Sequence, residues 1–185
     1  MTKDGDSQSA GSKRIAFWPT LIVAFLLDFA TKRWAETNLL PVYTPHELIG
    51  NAVRLTLAFN KDAAMGLSLG QYSRVGFALI AVVVLAVLGV FYHRTPASAS
   101  GAAAALGLVA AGALGNLSDR VMFSRGVVDF IDVGIGSARF YTFNVADASI
   151  TCGAILLAIL STRAPKPAGG QVTSQRESEP ERSAT

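Results

Sequence analysis

The 185-residue sequence predicts an α-helical integral membrane protein, with four transmembrane helices and a small β-element on one membrane face. Two observations carry that prediction. Residues of the AVILMFWYC set make up 51% of the chain and charged residues only 16%, where a soluble domain carries roughly 25% charge; the mean hydropathy is +0.40. The apolar residues also fall in four runs of the length needed to cross hydrocarbon, about 20 helical residues. This composition excludes a water-soluble globule and a disordered chain. A single cysteine, Cys152, excludes an intrachain disulfide and a Cys-rich metal site, and His46 and His93 show no zinc spacing, so no metal and no cofactor is expected. The net charge is +3, but the 16 Lys and Arg form no basic stripe, so nucleic acid is not an expected partner.

Taken in order, residues 1–14 are polar and expected to be disordered, and the first span covers residues 15–34. Lys13 and Arg14 before an apolar run resemble a signal peptide, but the run ends in the charged segment Asp28 to Arg33 without an A-x-A site, so a retained helix is expected. Val53–Phe59 alternates apolar residues at 53, 55, 57 and 59, a strand with one apolar face. NKDAAMGLSLG then turns back towards the second span, 75–92, and HRTPASAS links it to the third, 101–117. The third is rich in Gly and Ala. Its Gly107, Ala111 and Gly115 recur every four residues, the spacing that lets helix backbones approach, so it is expected to be an inner helix. Val127–Val133 and Arg139–Phe143, separated by GIGS, read as two strands and a turn, with Asp129 and Asp132 on opposite faces. The fourth span is 145–161, which closes a membrane domain of residues 15–161, and residues 162–185 form a tail expected to be disordered.

In so apolar a chain the acids are informative, because an ionised carboxylate in or against a membrane is expensive and needs a partner or a function. Asp28 has Lys32 one turn further on, in the favourable order for a structural ion pair. Asp119 adjoins Arg120, a pairing that suggests support or substrate positioning. Asp129, in VVDFIDV, and Asp147, in FNVADAS, have no local partner. Brought together, two such carboxyls would share one proton and could activate water, as an aspartic dyad does. A separation of 18 positions leaves that pairing open, beside ion translocation or packing. Ser149 and Cys152 near Asp147 read as small residues on a packed helix face.

These motifs, read together, resemble the lipoprotein signal peptidases, the signal peptidase II family of bacterial membrane aspartic peptidases. The matching pieces run in the family's order over about residues 15–161: DFATK at 28–32, FNKDAA at 59–64, GNLSDR at 115–120, VVDFID at 127–132 and FNVADAS at 143–149. The resemblance implies removal of the signal peptide from diacylglyceryl-modified prolipoproteins before the lipidated cysteine. It implies Asp129 and Asp147 as the catalytic pair, Asn60, Asn116, Arg120 and Asn144 as substrate-binding residues, and Asp28, Lys32 and Asp119 as structural support. It also implies contact with membrane lipid and inhibition by globomycin-type cyclic peptides; a monomer is expected.

Orientation is not decided by charge, because Lys and Arg number eight on each side of the four spans. The resemblance supplies it: multi-pass insertion in the bacterial cytoplasmic (inner) membrane, termini in the cytoplasm, and a small extracytoplasmic β-element carrying the active site. One motif departs from the family pattern N-x-G-A-A-F. This chain has Asp62 in place of the glycine, which disfavours a positive φ there, and Met65 in place of the aromatic. The alternative reading is a small proton-coupled transporter using intramembrane acids as relays. A third, a membrane scaffold without activity, leaves the polar motifs on one face unexplained.

Overall fold

The computed structural model describes residues 3–62 and 67–163. Helix α1 runs Lys3–Asn38, α2 Ser73–Arg94, α3 Ser100–Met122 and α4 Val145–Arg163, and one 3₁₀ turn, Gly70–Tyr72, leads into α2. Four segments are long and apolar enough to cross a membrane: Ser12–Asn38, Gly70–Arg94, Ser100–Met122 and Val145–Thr162. The expected disorder of residues 1–14 is not what the chain adopts from Lys3 onward, where the helix is continuous into the first span. Once an apolar span has nucleated a helix, each further residue adds a hydrogen bond at little cost. Of the tail expected at 162–185, Thr162 and Arg163 continue α4; residues 164–185 and the Met65 substitution lie outside the described residues.

α3 is the inner helix of the bundle and packs against α1, α4 and α2. Its composition explains why: ten of its residues are buried, and all but Leu106 and Asp119 are Gly or Ala. A Cβ on Gly115 would strike the Asp28 carboxylate, and one on Gly112 would strike the Ala146 carbonyl oxygen of α4. These glycines set how closely α1 and α4 approach α3. Gly112→Ala is therefore expected to destabilise the bundle by about 1–3 kcal/mol, read as a lowered unfolding midpoint in detergent. At the end of the bundle where α2 ends and α3 begins, Phe17, Leu88, Ala103, Leu106 and Ala110 form an apolar cluster. Lys13 Nζ donates to the Thr95 carbonyl at 2.7 Å there and sits 4.4 Å from the Tyr92 ring centroid, which caps the C-terminus of α2.

The opposite end carries a four-stranded antiparallel sheet, in order β1 (His46–Ile49), β2 (Val53–Asn60), β3 (Val127–Ile135) and β4 (Ala138–Arg139). β2 and β3 cover the expected strands and extend them by one and two residues; β1 carries no alternation that marks it in the sequence. The strand expected at Arg139–Phe143 stops at Arg139, and Phe143 makes one isolated bridge to Ile131. There the Phe143 carbonyl accepts the Phe130 and Ile131 N–H groups at 3.0 and 2.8 Å, so the segment runs antiparallel beside β3 and turns directly into α4. A bulge in β2 between Leu55 and Ala58 sets the register that puts Ala58 opposite Asp129 and Arg54 opposite Asp132. Ala35, Leu39, Leu57, Val128 and Phe130 bury the sheet against the end of α1. β3, and Asp129 with it, is thereby seated over the mouth of the bundle.

Candidate active site

Asp129 and Asp147 are brought together by Asn144. The last residue before α4, Asn144 caps the helix: its Oδ1 accepts the Asp147 N–H at 3.0 Å, and Asp147 Oδ2 accepts the Asn144 N–H at 3.2 Å. This is a reciprocal capping box with Asp at the third helical position, so Asp147 sits at the positive end of the helix dipole. The Asn144 amide then donates in the other direction, to Asp129 Oδ1 at 2.7 Å and the Val128 carbonyl at 3.2 Å. One buried asparagine thus joins the first turn of α4 to the middle of β3.

Each carboxylate has a second amide donor. Asn60, at the end of β2, donates from Nδ2 to Asp129 Oδ2 at 3.1 Å, and Asn116 of α3 donates to Asp147 Oδ1 at 2.8 Å. Gly126, with φ +90°, lets the chain after α3 pass against the Asn60 carbonyl, where a Cβ would collide, and so holds β2 and β3 together at the site. The two aspartates differ in surroundings. Burial pushes the Asp129 carboxyl up to about 7, helped by the neighbouring Asp147 charge and opposed by the Asn60 and Asn144 donors and the Lys32 charge. Asp147 keeps both oxygens on N–H donors, Oδ1 on the Asn116 amide and Oδ2 on the Asn144 N–H.

Behind this pair lies an ion network. Lys32, almost fully buried, contacts Asp28 at 2.8 Å and Asp119 at 3.0 Å, and donates to Asn116 Oδ1 at 3.0 Å. The expected Asp28–Lys32 pair is therefore present, and Asp28 also accepts the Ala146 N–H at 2.8 Å, satisfying another free donor at the start of α4. The expected Asp119–Arg120 pair is not. Neighbours in a helix point about 100° apart, so Asp119 turns instead to Lys32, to Arg33 at 3.2 Å and to the Val128 N–H at 3.2 Å. Arg120 points the other way, donating to the Asn116 and Asp62 carbonyls at 3.1 and 2.9 Å. Asp132 lies outside the site: burial raises its carboxyl, but Arg139 and Arg54 outweigh this and hold it below the usual range.

The aspartates open onto a cleft of about 1420 Å³, lined also by Asn60, Asn116 and Arg120. Its volume exceeds the 300–1,000 Å³ typical of small-ligand pockets and suits an extended or lipid-bearing substrate. Sequence reasoning missed three of its walls: Tyr43, Arg125, and the Phe140–Phe143 segment. Of these, Phe143 alone falls in a motif, as the first residue of FNVADAS, and it is the antiparallel run of residues 140–143 beside β3 that places the segment here. The capping box was available in N-V-A-D at 144–147. Ser149 is buried on α4, but Cys152, expected in a packed face, is exposed and lines the cleft. Among the described residues no three His, Cys, Asp or Glu side chains gather as a metal set. The arrangement can hold one proton between two carboxyls beside an open cleft and can present several N–H donors to a bound chain.

Comparison with known proteins finds relatives over most of the chain. Residues 20–163 match the family described as signal peptidase (SPase) II. The chain is 43% identical over 145 residues to the lipoprotein signal peptidase of Pseudomonas putida, covering 77% of this chain and 83% of that one. It is 38% identical over 148 residues to the lipoprotein signal peptidase of Hydrogenovibrio crunogenus, covering 77% and 81%. Among solved structures, a bacterial membrane enzyme at 2.3 Å resolution superposes with a TM-score of 0.69 at 29% identity, covering 88% of this chain and 92% of the other.

Proposed function

This chain belongs to the signal peptidase II family, and on that premise we propose that it removes signal peptides from diacylglyceryl-modified prolipoproteins by aspartic catalysis. Asp129 and Asp147 are the catalytic pair. The observation that carries this reading is the unbroken hydrogen-bonded series Asn60–Asp129–Asn144–Asp147–Asn116 in the wall of the cleft. Asp147, served by N–H donors on both oxygens, takes a proton from water. Asp129, which holds its proton up to about pH 7, donates to the scissile carbonyl oxygen and so stabilises the developing negative charge. Collapse of the tetrahedral intermediate passes a proton to the leaving amine. Asn60, Asn116 and Arg120, which line the cleft, hold the extended peptide; Asn144, expected among the substrate-binding residues, is fully buried and joins the two aspartates instead, and Asp28, Lys32 and Asp119 support the pair from behind.

In this reading the four spans lie in the bacterial cytoplasmic membrane, with the termini in the cytoplasm and the cleft at the extracytoplasmic face. The acyl chains of the substrate rest against lipid-facing helices, where each buried CH₂ contributes about 0.8 kcal/mol. The chain acts as a monomer. Nothing in the fold or the comparisons favours the proton-coupled transporter.

Incubation of the purified protein with a diacylated prolipoprotein, followed by mass analysis, tests the reading. The expected result is loss of the signal peptide before the lipidated cysteine, blocked by globomycin; unchanged substrate mass overturns it. The pH profile tests the division of labour. Because burial raises the Asp129 carboxyl, its working protonated form is present below about pH 7 and lost above it, so kcat/KM is expected to fall as pH rises through that value. Asn60→Ala removes a donor that favours the ionised form, and should move this falling limb to higher pH.

A further inference from the structure

Asp62 occupies the position where the family motif usually has glycine, and its two halves make different contacts. Its peptide groups meet the proposed machinery: the N–H donates to Asn60 Oδ1 at 3.0 Å and the carbonyl accepts Arg120 Nη2–H at 2.9 Å. Glycine could make both contacts. Its carboxylate does what glycine cannot. Oδ1 accepts the Ser68 hydroxyl at 2.8 Å, and Ser68 Oγ lies 3.3 Å from Ser73 Oγ. Because the Ser68 proton goes to the carboxylate, Ser73 is the donor in the serine pair. The two oxygens also accept backbone donors, Gly70 N–H on Ser68 at 3.1 Å and Leu69 N–H on Ser73 at 2.8 Å.

Ser73 is buried and is the first residue of α2. The carboxylate is thus tied to the N-terminus of a membrane-spanning helix, where the dipole favours negative charge. The Ser73 and Ser68 hydroxyls hold it below the usual carboxyl range, so it is ionised at neutral pH. The substitution brings no backbone strain: Tyr43 is the one non-glycine residue with a positive φ among the described residues.

We propose that Asp62 is a positioning residue for the aspartate pair, its carboxylate anchoring the Asn60–Asp62 turn to α2 through Ser68 and Ser73. The proposal rests on the reading of Asp129 and Asp147 as the catalytic pair. An asparagine amide can face either way. With Oδ1 engaged by the Asp62 N–H, the Asn60 Nδ2–H is left for Asp129. A loosened turn releases the amide, and a flipped oxygen would face the carboxylate. The same peptide keeps Arg120 at the cleft wall. The charged groups acting on Asp129 are Asp147 from α4 and Lys32 from α1, with Arg120 of α3 beside them; Asp62 reaches it only through the turn.

The test uses Asp62→Ala, Ser68→Ala, their double variant and Asp62→Asn in the full chain. Two measurements are made: cleavage of a diacylated prolipoprotein across pH, and hydrogen exchange at the Leu69 and Gly70 amides. Both alanine variants should lose roughly tenfold to a hundredfold in kcat, with KM changing less and the falling limb displaced to higher pH. Asp62→Asn retains an acceptor for Ser68 and should recover most of the rate. The double variant should be no slower than Asp62→Ala, because the two residues form one tie. Exchange at Leu69 and Gly70 should accelerate in the alanine variants. Wild-type kcat and an unmoved limb in Asp62→Ala, a loss confined to KM, additive losses in the double variant, or unchanged exchange would each overturn the proposal. A wild-type chain that leaves the substrate uncut while exchange responds sinks the catalytic reading instead, and the positioning role with it.

Discussion

Asp129→Asn and Asp147→Asn should each lower kcat for a lipidated substrate by at least about 10²–10⁴-fold, the range for loss of general acid–base catalysis. The two losses have different causes. Asparagine at 147 cannot take a proton from water, whereas asparagine at 129 cannot pass on the proton that burial keeps on the native carboxyl. Because the pair acts as a unit, the double variant should be no slower than the worse single variant. Substrate affinity is expected to change little, since Asn60, Asn116 and Arg120 remain in place along the cleft. Single-turnover cleavage with a lipidated peptide measures both quantities. Substantial cleavage by either variant removes that residue from the catalytic pair.

Lys32→Met should be the most destabilising single change in the chain, by about 3–5 kcal/mol, the cost of breaking a buried ion pair. Lys32 is 1% exposed and lies between Asp28 and Asp119, themselves 1% and 2% exposed. Methionine fills the volume but leaves those two carboxylates facing each other, with Arg33 on Asp119 as the remaining counter-charge. Loss of the ammonium also removes one of the two donors to Asn116 Oδ1, leaving the Asn144 amide at 3.1 Å, and so weakens the contact that helps turn the Asn116 amide so that Nδ2 points to Asp147. Activity should therefore fall in the fraction that still folds. Unfolding midpoints in detergent read the stability, with Arg14→Met as comparison; Arg14 is exposed, and its replacement should stay within about 0.5 kcal/mol. Equal midpoints for the two variants would show that the buried network contributes nothing.

How much of this was legible beforehand depends on the range of the interaction concerned. Asp28 and Lys32 could be paired from the sequence, because four residues on one helix are neighbours in any fold that keeps the helix. Asp119 could not. Its sequence neighbour Arg120 offered a partner, but the helix turns the two apart, and the true partners lie 86 and 87 positions earlier, on α1. The capping box in N-V-A-D is local and was readable as such. That the same asparagine would reach Asp129 was not, because that contact needs the Phe140–Phe143 segment to run back beside β3. Asp62 marks the same boundary: its departure from the family motif is visible in the sequence, while its tie to Ser68 and Ser73 requires the turn into α2.

By itself, then, the sequence determined a four-span membrane protein, a period-two strand at 53–59, a second strand at 127–133 and a short set of acids that need a reason to be in so apolar a chain. Hydropathy, alternation and i,i+4 spacing are properties of neighbouring residues, and they survive without knowledge of the rest of the molecule. The tertiary structure alone decided which acids meet. Asp129 and Asp147 share a site because glycines in α3 let α4 approach closely, because the bulge in β2 sets the register of β3, and because one buried asparagine joins them. Each of those is a contact between elements distant in sequence, and composition carries no record of such contacts.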